Sequence, residues 1–162
     1  MAQFHSLSFP SALLQRGFWL YVWVVTTKNG REVLYVGRTG DSSSPHAQSP
    51  YRRMGQHLAP GNTSTNMLHK NLVKNGFDPN ICKSFEMVAY GPILPEGRNM
   101  KEHTPKRNII AAMEKELRDS LCSAGYTVLN SVSCRQPLDP THWKKVLAVF
   151  SERFPKLMRA LD

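Results

Sequence analysis

Two side chains four residues apart, Arg53 and His57, are of types that could act on a phosphate group. We predict the stretch that holds them to be helical, so the two share one face of that helix. A guanidinium is always charged and can grip two phosphate oxygens at once. An imidazole has an unperturbed pKa near neutrality and can orient a hydroxyl group or transfer a proton. Arg52 is an alternative to Arg53, but only Arg53 has the four-residue spacing to His57.

Tyr21 and Tyr35 lie in two segments that we predict to pair as strands. If both point to the same face, they place two phenolic oxygens near one phosphate. A phenol has a pKa of about 10, so it is a base at neutral pH only where nearby cations favour the phenolate. The alternative is that both are ordinary strand residues, since tyrosine is a favoured β-former.

A predicted helix further along the chain offers two carboxylates, Glu114 and Glu116. At 100° per residue, the apolar stripe of this helix centres about 55° from Glu114 and about 105° from Glu116. Glu114 therefore lies at the edge of the buried face, where it could reach a cleft over the sheet. One carboxylate with substrate phosphate oxygens and waters is a typical magnesium arrangement. We therefore favour Glu114 as a ligand of Mg²⁺ or Mn²⁺, with Glu116 as the alternative.

The elements that must position these side chains begin with a hairpin. Two β-rich runs, Phe18–Thr26 and Glu32–Val36, flank Lys28-Asn29-Gly30. Asn-Gly between apolar β-formers is a strong hairpin signal, because both turn residues must accept positive φ. We predict an antiparallel hairpin that carries one tyrosine on each strand.

A polar, turn-rich loop over residues 41–50 ends in Ser49-Pro50, which is typical of a helix start. The helix that begins there has a predicted buried stripe of Tyr51, Met54 and Leu58. The remaining predicted elements are a short helix over 66–75, a third strand over 83–90, a long loop over 91–107, a helix over 108–124 and a last helix of about twenty residues from Thr141. Pro155 is expected to kink or end that last helix.

This pattern predicts an α/β (α+β) fold. We expect a small central antiparallel three-stranded sheet flanked by helices, with an extra C-terminal helix. A length of 162 residues favours a single domain over residues 1–162, with a core over 18–131 and a helical extension over 140–161.

Composition excludes some classes of protein and favours one kind of partner. No apolar run approaches the roughly 20 residues that a membrane helix needs, and the N-terminus lacks the pattern of a secretory signal. Three widely spaced cysteines predict neither a disulfide framework nor a zinc site, so we expect a cytoplasmic protein. The formal net charge of +9 and the absence of Asp and Glu from residues 43–77 favour a nucleic-acid partner.

The ordered set of these residues resembles the GIY-YIG nuclease family. Trp19-Leu20-Tyr21 and Tyr35-Val36-Gly37 match its two signature segments, and Arg53 and His57 match its R-x-x-x-H spacing. In the family's order, a helix that bears a glutamate comes next, and an asparagine lies just after that helix. The sequence departs from the family where Trp19 replaces the first signature glycine, and the hairpin and the 41–50 loop are long.

The resemblance implies a role for each matched residue. Tyr21 would help to deprotonate the attacking water, Arg53 would stabilise the scissile phosphate, and Glu114 would hold the metal. Asn130 would fix the backbone near the tyrosines. Gly37 would let the backbone turn or approach the substrate, and Arg38 would contact a phosphate.

The sequence thus predicts a metal-dependent endonuclease that hydrolyses phosphodiester bonds in DNA, with RNA a less favoured substrate. One alternative is an inactive nucleic-acid-binding module of the same fold, and another is a small structural protein with incidental charge. The apolar positions of the C-terminal helix leave two options open, packing onto the domain or a homodimer seam. They are Trp143, Val146, Leu147, Phe150 and Phe154.

Overall fold

The computed structural model describes residues 1–61 and 63–159, and the side chains of these residues except that of Arg159. Its centre is a three-stranded antiparallel sheet in the order β2-β1-β3. The strands are β1 (Phe18–Thr26), β2 (Glu32–Arg38) and β3 (Ser84–Leu94). The helices are α1 (Pro50–Leu58), α2 (Met67–Lys74), α3 (Met100–Ser123), α4 (Pro140–Arg153) and α5 (Lys156–Arg159). Short 3-10 turns cover Ser11–Leu14 and Pro79–Ile81. The predicted α+β fold with a three-stranded antiparallel sheet is confirmed.

The hairpin between β1 and β2 forms as predicted, but its turn differs. The Gly30 N–H donates to the Thr27 carbonyl (2.9 Å), and the Thr27 N–H donates to the Arg31 carbonyl (2.9 Å). Gly30 has φ of 82°, whereas Asn29 is not among the residues with positive φ. Our expectation that both Asn29 and Gly30 take positive φ was therefore wrong. The loop is longer than a two-residue turn, so the glycine alone takes the left-handed conformation that side chains resist.

The register of the hairpin places the two tyrosines on the same face of the sheet. Tyr21 lies opposite Gly37, and Trp23 lies opposite Tyr35. Because side chains alternate between faces along a strand, Tyr21, Trp23 and Tyr35 all point to one side. The condition that we set for the two phenols to act at one site is therefore met.

The central strand β1 is buried on both faces, which explains its continuous apolar run. One face packs on α3 and α4 and is built by fully buried residues that include Leu20, Val22, Met113 and Phe150. The other face carries Tyr21 and Tyr35 and packs on α2 through Leu68 and Leu72. The two tyrosines therefore lie on the face that α1 and α2 cover, whereas α3, which carries Glu114, packs on the opposite face.

The segment between β3 and the core of α3 differs from our prediction of a loop over 91–107. Strand β3 continues to Leu94 and α3 begins at Met100. The Asn99 side chain caps the helix by accepting from the Glu102 N–H (3.1 Å). Pro105 lies inside the helix near its start. Its missing N–H costs one hydrogen bond, but the helix continues. The predicted buried stripe of Ile110, Met113, Leu117 and Leu121 is confirmed.

Helix α1 begins at Pro50 as predicted, with the Ser49 side chain accepting from the Arg52 N–H. Its buried face differs from our prediction. Tyr51 is 44% exposed and packs on the Phe9 ring, with ring centroids 4.7 Å apart. Met54 and Leu58 are half-buried against the second core, and His57 has no exposed surface. The helix is rotated so that a histidine, rather than a tyrosine, faces the sheet.

The C-terminal extension packs onto the protein's own core. Helix α4 ends at Arg153, before Pro155, as predicted, but it has 14 residues rather than the expected twenty or so. A separate short helix, α5, follows Pro155. Val146, Phe150 and Phe154 have no exposed surface. Of the predicted extension over 140–161, residues 160 and 161 lie outside the described residues. The apolar face of α4 is used inside the chain, and a homodimer stays a prediction.

Within the described residues, no helix is both long enough and apolar enough to cross a membrane.

Candidate active site

Tyr21 lies at the centre of the candidate site, where three elements meet. Its side chain is fully buried, and its hydroxyl oxygen lies 2.6 Å from His57 Nε2 on α1. The Arg53 Nε–H, one helical turn earlier, donates to the same oxygen at 3.5 Å. The Tyr21 hydroxyl in turn donates to the backbone carbonyl of Arg38 at the end of β2 (3.3 Å). The predicted residues Tyr21, Arg53 and His57 are therefore brought together.

The surroundings of His57 indicate which of its ring nitrogens carries the proton. His57 Nδ1 is buried and has no partner among the described residues. A proton there would leave an unpaired buried N–H, which costs about 1–3 kcal/mol. We therefore assign the proton to Nε2, which donates to the Tyr21 oxygen. The Tyr21 oxygen then accepts from His57 and Arg53 and donates to the Arg38 carbonyl.

Burial determines the charge state of His57. Burial, assisted by the neighbouring Arg53 guanidinium, lowers the pKa of His57 to about 3. The imidazole is therefore neutral at physiological pH and remains a donor to Tyr21 through one nitrogen. It orients the phenol rather than supplying a positive charge.

Stability should depend on pH through His57. In the unfolded chain its pKa is about 6.5, so between pH 6.5 and pH 3 the unfolded state binds the extra proton. The free energy of unfolding should decrease as the pH falls through this range, by up to about 1.4 kcal/mol per pH unit. Urea denaturation at pH steps from 4 to 8 measures this slope. His57→Gln should lack this part of the slope, and the exposed control His5→Gln should keep it. Equal slopes in His57→Gln and the unmodified protein would contradict the assignment.

Both tyrosines are protonated in the free protein. Burial raises the pKa of Tyr21 well above its usual value, and Arg53 only partly opposes this. Burial also raises the pKa of Tyr35, which is 7% exposed and whose ring centroid lies 5.1 Å from that of His57. A phenolate at this site therefore requires further positive charge close to Tyr21.

Arg53 has a partner that the sequence analysis missed. Its Nη2 lies 3.6 Å from Asp41 Oδ2, and its Nη1 donates to Gln56 Oε1 (3.2 Å). The Arg53 side chain is 12% exposed, whereas that of Asp41 is 46% exposed. Asp41 is the only acid between Glu32 and Asp78, and it follows β2 closely. That isolated acid was the available signal, and it lies in the long loop over residues 41–50.

Glu114 is held by Arg38. The Arg38 Nε–H donates to Glu114 Oε2 (2.8 Å), and both side chains are mostly buried. Burial raises the pKa of the Glu114 carboxyl, and the Arg38 guanidinium opposes this rise. We expected Arg38 to contact a phosphate, but its Nε is engaged by this carboxylate. Glu116 instead accepts from the Ser120 hydroxyl on its own helix (3.5 Å).

The donor set can be tested against a divalent cation. Among the described residues no group of three or more His, Cys, Asp or Glu side chains could hold a metal on its own. The Glu114 carboxylate is bound by Arg38 through Oε2, so Oε1 is the oxygen available to a metal. A single carboxylate from Glu114 fits Mg²⁺, which commonly takes one or two carboxylates and completes its shell with water and substrate phosphate oxygens.

Gly37 is explained by the Tyr21 ring. A Cβ at Gly37 would lie 2.5 Å from a Tyr21 ring carbon and 2.7 Å from its hydroxyl oxygen. The absence of a side chain therefore lets the phenol lie across β2 and reach His57. This is a different reason from the turn or substrate approach that we expected.

Gly37→Ala should consequently destabilise the protein and displace Tyr21. Overpacking of this kind costs about 1–3 kcal/mol. The matched control is Gly55→Ala on α1, where an added Cβ has no atom within 4 Å. That change should stabilise the helix by about 0.5–1 kcal/mol. Urea denaturation of both variants measures the difference, and equal effects would contradict the close approach.

Asn130 fixes the backbone of β2 next to Tyr35. Its Oδ1 accepts from the Val36 N–H (3.0 Å), and its Nδ2 donates to the Val36 carbonyl (2.8 Å). The Arg118 Nε–H donates to the backbone carbonyl of Asn130 (2.9 Å), which ties this loop to α3. The geometry matches the structural role that we expected for this amide.

Arg52, the alternative to Arg53, is exposed and lines a separate cavity with Arg16 and His46. The tertiary structure therefore brings six of the predicted residues together. Arg38, Arg53 and His57 contact the Tyr21 hydroxyl. Tyr35 packs on the His57 ring, and Glu114 pairs with Arg38. Gly37 and Asn130 have supporting positions.

No family model matches the chain, and comparison with curated proteins and with solved structures finds no match either. The resemblance to GIY-YIG nucleases therefore stays a prediction that depends on the ordered residues and their geometry.

Proposed function

We propose that the protein is a metal-dependent endonuclease that hydrolyses phosphodiester bonds in DNA. The observation that carries this proposal is the Tyr21 hydroxyl oxygen, held between His57 Nε2 (2.6 Å) and Arg53 Nε (3.5 Å). Two donors on one phenolic oxygen stabilise its deprotonated form, which is what a general base requires. The net charge of +9 supports a polyanionic substrate.

In this mechanism Tyr21 first loses its own proton to solvent, and the phenolate then takes a proton from the attacking water as the oxygen–phosphorus bond forms. The bond from phosphorus to the leaving oxygen breaks, and the leaving oxygen receives a proton from solvent. His57 orients the phenol throughout and stays neutral. Proton transfer to a positioned base typically contributes about 10²–10⁴-fold to the rate.

Arg53 has the position and charge to stabilise the transition state. Its guanidinium has partners on Asp41 and Gln56 in the free protein. Asp41 is the more exposed partner, at 3.6 Å, so a substrate phosphate can replace it. The guanidinium would then bind two phosphate oxygens while charge builds on them.

Glu114 would hold the divalent cation, with Arg38 orienting the carboxylate through Oε2. When bound, Mg²⁺ would supply charge neutralisation at the phosphate and bring positive charge close to the tyrosines.

A cleavage assay tests the proposal. Purified protein is incubated with supercoiled plasmid and with branched DNA in Mg²⁺, Mn²⁺ or EDTA. We expect nicked or linear products with either metal and intact DNA in EDTA. Intact DNA in every condition, together with tight salt-sensitive binding, would overturn the nuclease in favour of the inactive binding module. If the protein neither cleaves nor binds DNA, the result would favour the structural protein.

A further inference from the structure

A cavity of about 290 Å³ opens beside Tyr35, on the side of the site formed by α2. Its lining includes Tyr35, Lys70, Asn71, Lys74 and Ser131. Tyr35 belongs both to this cavity and to the candidate active site. A ligand that occupies the cavity therefore contacts one residue of the candidate active site.

The lining of this cavity is cationic. Lys70 and Lys74 are one helical turn apart on α2, and neither forms an ion pair with another residue in the described parts of the chain. Lys115 on α3, by contrast, pairs with Asp119. The nearest acids in sequence are Asp41 and Asp78, on either side of an acid-free stretch. The two ammonium groups are therefore available to an anion.

The helix that presents these lysines is firmly held. Leu68 and Leu72, on its other face, have no exposed surface and pack in the same core as Tyr21 and Tyr35. Lys70 is half-buried and Lys74 is exposed. The positions of the two cations relative to Tyr35 are consequently set by the core and not by a loop.

We propose that this cavity binds the phosphate group of a nucleotide next to the scissile bond on the same DNA strand. The proposal rests on the proposed function, because it takes the Tyr21 site as the place of cleavage. Two ammonium groups and the neutral polar side chains of Asn71 and Ser131 suit a phosphodiester. Tyr35 is only 7% exposed, so it offers little surface for a base to stack on. The cavity therefore contacts the DNA backbone and contributes affinity without sequence preference.

Binding measurements on Lys70→Ala/Lys74→Ala test the proposal. Fluorescence anisotropy with duplexes of two unrelated sequences, in EDTA, gives Kd as a function of salt concentration. Each lost phosphate contact should reduce the slope of log Kd against log salt by about 0.9, so the double variant should lose up to about 1.8. At 0.15 M salt Kd should rise by about 10-fold or more, equally for both sequences.

The matched control is Lys144→Ala/Lys145→Ala on α4. Both lysines are exposed, and α4 packs on the other face of the sheet. This variant loses the same charge and should change the slope little. Equal losses in the two double variants, or no loss in Lys70→Ala/Lys74→Ala, would overturn the proposal. Circular dichroism of each variant verifies that it is folded.

The same proteins distinguish failure of this inference from failure of the proposed function. If the unmodified protein cleaves DNA and the Lys70→Ala/Lys74→Ala slope is unchanged, the cavity assignment is wrong and the nuclease stands. If the slope falls but no metal supports cleavage, the cavity binds DNA phosphate and the nuclease is wrong.

Discussion

Tyr21→Phe should reduce DNA cleavage by about 10²–10⁴-fold while leaving most DNA binding intact. The substitution removes only the oxygen to which His57 and Arg53 donate. Tyr35 is the other phenol of the site, but His57 Nε2 and Arg53 Nε are both directed at the Tyr21 oxygen. Single-turnover cleavage at saturating protein isolates this chemical step from binding.

Tyr21→Phe should also lower the free energy of unfolding. His57 Nε2 and Arg53 Nε both lose an acceptor, and a buried unpaired donor costs about 1–3 kcal/mol. Tyr51→Phe is the control, because that phenol is 44% exposed on α1. It should cleave DNA at the unmodified rate. Cleavage by Tyr21→Phe within about 3-fold of the unmodified protein would exclude Tyr21 as the general base.

Glu114→Gln should abolish the metal dependence of cleavage. The substitution keeps the size and hydrogen-bonding oxygen of the side chain but removes the negative charge that a hard cation requires. We expect a loss of at least about 100-fold, because removing even a partner that only orients a metal ligand costs about 10–100-fold. A titration of the cleavage rate with Mg²⁺ measures the effect. DNA binding in EDTA should be unchanged or tighter, since a negative charge has been removed from the site.

The control for this change is Glu116→Gln, two residues along the same helix. Glu116 accepts from Ser120 on α3, whereas Glu114 is paired with Arg38. We expect Glu116→Gln to cleave normally. Loss of cleavage in Glu116→Gln with retention in Glu114→Gln would assign the metal to the other carboxylate.

Glu114→Gln also tests the pair with Arg38. Arg38 Nη1 is buried without a partner in the described part of the chain. The Glu114 carboxylate is therefore the group that compensates the buried charge of Arg38. Because both side chains are mostly buried, loss of the charge-assisted hydrogen bond should lower the free energy of unfolding by about 1–3 kcal/mol. Urea denaturation of Glu114→Gln and Glu116→Gln provides the comparison.

The elements predicted most accurately are those with strong local signals. Strands β1 and β2 follow from β-rich runs around Asn29-Gly30, and α1 begins at the Ser49-Pro50 signal. The start of α3 was missed because Pro105 was interpreted as part of a loop. A proline interrupts one hydrogen bond near a helix start, and the Asn99 cap and the packing of the rest of the helix outweigh that loss.

The buried face of α1 illustrates a limit of helical periodicity. By apolar spacing, Tyr51 belongs to the predicted buried stripe of α1 and His57 does not. The folded protein nevertheless buries His57, because Tyr21 supplies a hydrogen-bond partner for one ring nitrogen and three aromatic rings surround it. No local pattern contains that information, since the partner is 36 residues away.

The sequence by itself determined the residue types available for chemistry, the hairpin that carries Tyr21 and Tyr35, and the helical spacing of Arg53 and His57. These features depend on neighbours a few residues apart. Only the tertiary structure decided that Asp41 pairs with Arg53, that Arg38 holds Glu114, and that Lys70 and Lys74 line a cavity beside Tyr35. These contacts join segments far apart in the chain, and packing of two cores against one sheet brings them together.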